Sequence, residues 1–96
     1  MFTKSKEFKI ANRERKIELI KIDSYKLMLT YLRGAIDDAG IQKKMEELSN
    51  FGLLSRSEII SFLKERIVYE AYQCSMGKEE EERSQIKNRM FRFINS

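Results

Sequence analysis

Residues 17–32, IELIKIDSYKLMLTYL, carry two periodicities at once, and which of them folds decides the architecture. With period two, Tyr25, Leu27, Leu29 and Tyr31 line one face and Lys26, Met28 and Thr30 the other, as in a half-buried strand. With period 3.6, Asp23 or Ser24 caps a helix whose apolar stripe runs through Leu27, Met28, Tyr31, Leu32, Ala35 and Ile36. Intrinsic preferences divide, because Leu, Met and Lys favour helix while Tyr and Thr favour strand. The helix is the preferred reading, and the strand stays open as the alternative.

Downstream the pattern is helical throughout. Residues 37–50 place Ile41, Met45 and Leu48 on one face, with Gly40 either weakening that helix or breaking it. Residues 51–68, FGLLSRSEIISFLKERIV, then write a helix end, a turn and a new helix start. Gly52 accepts the left-handed conformation that terminates a helix. Ser55 and Glu58 form a capping box, and Leu54 and Ile59 are spaced as the hydrophobic staple that fixes the chain's entry angle. Losing the Ser55 cap should cost about 1 kcal/mol.

The helix of residues 56–75 has a core stripe of Ile60, Leu63, Ile67, Ala71 and Cys74, while Phe62, Tyr69 and Tyr72 widen its apolar surface onto a second side. A helix with two apolar sides packs against two neighbours, one of which can belong to another subunit. Gly77 ends it. The run of Glu at residues 79–82 complements the positive end of a last helix, with Lys87, Arg89 and Arg92 toward its negative end and Ile86, Met90, Phe93 and Ile94 as its stripe. The expected fold is therefore mainly α, a small single domain of three to four helices over residues 17–96 behind a basic arm of residues 1–16, with an N-terminal strand as the alternative.

Composition removes several chemistries. The chain of 96 residues has no His, one Cys and four scattered Gly. It therefore lacks the commonest general base, a Cys-based zinc cluster and a phosphate-cradling loop. No enzyme constellation, metal site or cofactor is expected, and Cys74 reads as a structural thiol. No apolar run approaches a membrane span, and MFTKSKEFK lacks the core of a signal segment, so a cytoplasmic protein is expected.

The net charge of +4 is unevenly spread. Residues 1–33 carry nine Lys or Arg against four Asp or Glu, and this basic excess interleaves with Phe2, Phe8, Tyr25 and Tyr31. Such a segment is an electrostatic footprint for phosphates, or equally a solvated basic helix.

Leu48, Phe51 and Gly52, followed by Ser55-Arg56-Ser57-Glu58, Ile59-Ile60, Leu63 and Ile67, resemble the second half of the ribbon-helix-helix family of DNA-binding proteins. The resemblance covers about a third of the chain; the turn carries an extra Leu, and no Pro opens the first helix. It implies an intertwined homodimer whose N-terminal strands enter the major groove, with Lys26, Met28 and Thr30 reading bases and Ser55, Arg56 and Ser57 holding a phosphate. The expectation from sequence is thus a small DNA-binding regulator or accessory protein that binds duplex DNA as a dimer. The competing expectation is an all-helical protein-interaction module, such as an inhibitor, immunity protein or adaptor. Its partner protein would dock on Phe62, Arg66, Tyr69 and Tyr72.

Overall fold

The structure, a computed structural model, describes the backbone of residues 2–96 and the side chains of residues 12–96. Its elements are α1 (Phe2–Leu32), α2 (Asp38–Ser49), α3 (Arg56–Ser75) and α4 (Glu80–Ile94), with no strand among the described residues. Residues 17–32 are helical because the 3.6 period is the one that finds burial. Ile20, Ser24, Met28, Tyr31 and Leu32 lie on one helical face and are all buried. The strand pattern would have buried Tyr25, Leu27 and Leu29 together with Tyr31, yet those three are only half-buried.

Two local expectations need correction. Asp23 and Ser24 do not start a helix, since α1 passes through them without a break. Ser24 instead sits fully buried, and its hydroxyl donates to the Lys21 carbonyl at 2.8 Å. The stripe also stops before Ala35, which is exposed in the turn. α1 ends there in a Schellman motif: Gly34 has φ +82°, its amide donates to the Tyr31 carbonyl at 3.0 Å, and the Ala35 amide donates to the Thr30 carbonyl at 3.0 Å.

Gly40 neither breaks α2 nor lies in its middle. It occupies the first turn, where its amide donates to the Asp37 Oδ1 cap at 2.7 Å. A Cβ at that position would meet Ile36 Cγ1 at 2.7 Å, so the close seating of the α1–α2 turn requires glycine. The junction into α3 has the expected form. Gly52 has φ +75°, the Glu58 amide donates to Ser55 Oγ and the Ser55 amide to Glu58 Oε1, both at 3.1 Å. Leu54 packs against the core that buries Ile59.

α3 is the central helix, in contact with α1, α2 and α4. Its inner side contributes Ile59, Ile60, Leu63, Ile67 and Ala71 to a core completed by Met28, Tyr31 and Leu32 of α1, Ile41 and Met45 of α2, and Ile86 and Phe93 of α4. Lys21 reaches Phe62 while Tyr25 reaches Glu70, so α1 and α3 run in the same direction. At 1.5 Å per residue α1 is roughly 46 Å long, most of the 61 Å long axis. Its residues 12–16 are exposed, so the basic segment continues the helix outward past the start of α3.

Candidate interaction surface

α3 has a second face that no other helix covers among the described residues. Val68, Tyr69, Tyr72 and Met76 are exposed there, Tyr69 and Tyr72 to 65 % each. About two and a half turns of one helix that expose a valine, two tyrosines and a methionine are more apolar than a solvated face requires.

The near edge of this face is tied down by contacts within the chain. Phe62 is half-buried, with the Arg66 guanidinium 4.0 Å and the Lys21 ammonium 5.5 Å from its ring centroid. Arg66 is itself fixed by donating to the Phe62 carbonyl at 2.8 Å. Beside it, Tyr25 of α1 donates to the Glu70 carboxylate. That hydrogen bond, together with burial, pushes the Tyr25 hydroxyl up to about 12 and keeps it neutral. Ile22 of α1 is also exposed, adding apolar area on the neighbouring helix. The four residues expected for partner docking, Phe62, Arg66, Tyr69 and Tyr72, therefore lie along one helix, with Phe62 and Arg66 as its ordered margin and the two tyrosines as its open surface.

The residues expected for DNA contact are dispersed. Met28 is fully buried in the core, so it cannot reach a base edge. Lys26 and Thr30 fall on the other side of α1, where Thr30 Oγ1 donates back to the Lys26 carbonyl at 2.9 Å. With Lys44, Leu48 and Phe51 they line a groove of about 440 Å³ between α1 and α2. The alternation that would have put Lys26, Met28 and Thr30 on one face does not arise, because the helical period separates residues two apart by more than half a turn.

Ser55, Arg56 and Ser57 are exposed at the start of α3. The Ser55 hydroxyl already accepts from the Glu58 amide, and Arg56 donates to Gln42 of α2. Arg56 lines a different hollow from Lys26, one formed with Tyr31, Asp38, Arg92 and Phe93.

That hollow borders a polar cluster for which the sequence offers no signal. The Tyr31 hydroxyl lies 2.7 Å from Asp38 Oδ1 and 3.2 Å from the Arg89 carbonyl. Arg92 donates through Nε to Asp38 Oδ2 at 2.8 Å, and Arg89 donates to the Leu32 carbonyl at 3.1 Å. Hydrogen bonds from Arg92 and Tyr31 hold the Asp38 carboxyl below the usual carboxylate range. Burial first, then Asp38, pushes the Tyr31 hydroxyl up to about 12. The cluster joins the ends of α1 and α4 to the start of α2, a structural role.

A concavity of about 700 Å³ lies between α1, α3 and α4 beside half-buried Cys74. Arg33, Lys78 and Arg89 oppose Glu70 and Glu82 around it, so it presents no single sign of charge to a ligand. No helix among the described residues is long and apolar enough to cross a membrane. No protein-family model matches the chain, and no curated protein or solved structure gives a significant match.

Proposed function

We propose that the protein is a helical protein-interaction module, of the kind that serves as an inhibitor, immunity protein or adaptor, and that it acts by holding a partner protein on the outer face of α3. The observation that supports this most is the exposure of Tyr69 and Tyr72 on a helix whose opposite face already forms the core. Exposed aromatic anchors beside a fixed Arg are the usual composition of an energetic interface centre. The test uses the full chain as bait in native-host extract, treated or untreated with nuclease. A partner that survives nuclease, is retained by Lys26→Glu with Arg56→Glu and is lost by Tyr69→Ala supports the module. Retention of every partner by Tyr69→Ala removes it.

A second reading, a small DNA-binding regulator or accessory protein acting as a dimer, is favoured by the exposed Arg13, Arg15 and Lys16 along α1. With residues 17–32 helical, such contacts would fall on phosphates through the basic side of α1 and the Arg56-Ser57 turn rather than on base edges. Duplex binding should then weaken by about 10³ to 10⁵ between low and moderate salt if roughly 6–10 phosphates are contacted. Absence of duplex binding at low salt excludes this reading.

A further inference from the structure

The outer face of α3 has a regular spacing. Phe62, Glu65, Tyr69, Tyr72 and Met76 follow one another at intervals of three, four, three and four residues, the repeat that keeps one seam of a helix against a neighbouring helix. Four of the five are apolar or aromatic, and Tyr69, Tyr72 and Met76 are exposed. A seam of this period is shaped for a helix rather than for a loop or a small molecule.

We infer that the helix it takes is α3 of a second copy of this chain, packed antiparallel. The inference rests on the reading of this face as a docking surface and names its occupant. Self-complementarity selects both partner and direction. A two-fold axis crossing α3 between Glu70 and Ala71 sets Tyr69 beside the partner's Tyr72 and, by symmetry, the reverse. It leaves each Glu65 at an end of the seam, beside the partner's Met76. An isologous contact of this kind closes at two chains.

The parallel alternative is unfavourable on charge. It stacks Glu65 on the partner's Glu65 in one layer of the seam, where desolvation magnifies their repulsion. Because α1 and α3 run in the same direction, it also lays the two basic α1 ends side by side. The antiparallel arrangement separates them. It moves the four consecutive Glu of residues 79–82, just beyond the end of α3, toward the start of the partner's α3, the end from which its exposed Arg13, Arg15 and Lys16 project. Opposite charges then meet at both ends of the seam.

The experiment is the solution mass of the full chain across a concentration series, paired with cysteine cross-linking in a Cys74→Ser background. The expected mass is twice 11.5 kDa for the native chain, falling to a single chain for Tyr69→Glu with its helical circular dichroism unchanged. An oxidised mixture of Tyr69→Cys and Tyr72→Cys chains should give the mixed disulfide, while Glu65→Cys chains alone should stay unlinked. Efficient linking of Glu65→Cys to itself overturns the antiparallel register. A monomer at all concentrations overturns self-association. If that monomer still captures a host protein that Tyr69→Ala loses, the docking face stands and its occupant is another protein; if it captures none, both readings fall.

Discussion

The two faces of α3 are built from similar residues and have opposite fates. Ile60, Leu63, Ile67 and Ala71 on one side are buried, whereas Val68, Tyr69, Tyr72 and Met76 on the other are exposed. Both carry large apolar side chains, the inner face aliphatic and the outer face bearing two tyrosine hydroxyls. The difference lies in what the other helices reach: α1, α2 and α4 together enclose one side, and among the described residues no helix covers the other. The inner face is thus a stability determinant and the outer face, on the proposed reading, a binding determinant, two properties that mutation can separate.

Leu63→Ala should give the largest effect. Leu63 is fully buried, so truncation should cost about 2–5 kcal/mol in chemical denaturation. Gly34→Ala comes next. It forces an L side chain into φ +82° and drives its Cβ to 2.7 Å from the Arg89 guanidinium, and should cost about 1–2 kcal/mol. Ser55→Ala removes one capping bond at an exposed helix start and should cost about 1 kcal/mol, less in Ser55→Gly. Smallest on stability is Tyr69→Ala, expected within about 0.5 kcal/mol of the native chain when both are measured dilute enough to be single chains, while abolishing partner capture. If Tyr69→Ala destabilises as much as Leu63→Ala, the outer face belongs to the core of the fold and the distinction fails.

Titration offers an independent check on the inner side. Tyr25 and Tyr31 have folded-state values raised from 10.0 to about 12. Their contribution is complete below pH 10 and is lost as pH rises toward 12, because the unfolded chain releases those protons first. Asp38 has the opposite sign: its value is lowered, so its contribution holds above the ordinary carboxylate range and fades as pH falls through the folded value. Tyr31→Phe should flatten the alkaline loss in pH-dependent melting, and an unchanged alkaline slope would remove Tyr31 from that account.

Much of the fold is legible in the chain. The α3 start is encoded by Ser55 and Glu58, three residues apart, whose mutual hydrogen bonds need no tertiary partner. Gly52 and Gly77 both adopt positive φ at helix ends, again a local preference. The segment 17–32 is different, since its composition permits two periods. Burial of Ile20, Met28 and Leu32 against α2 and α3 chooses the helix, and that choice removes Met28 from any surface role. The outer face of α3 is legible too, as apolar width beyond the core stripe at Phe62, Tyr69 and Tyr72, and the packing of the other helices leaves Tyr69 and Tyr72 exposed.

By itself, then, the sequence determined what depends on neighbours a few residues apart: helix starts and stops, amphipathic stripes and the basic bias of the first third. Tertiary structure alone decided which of two periods residues 17–32 adopt, and that Tyr31, Asp38, Arg89 and Arg92 meet although up to 61 positions separate them. The physical reason is that short-range hydrogen bonds are set by chain geometry. Burial, by contrast, is shared among distant segments and is settled only when all of them pack.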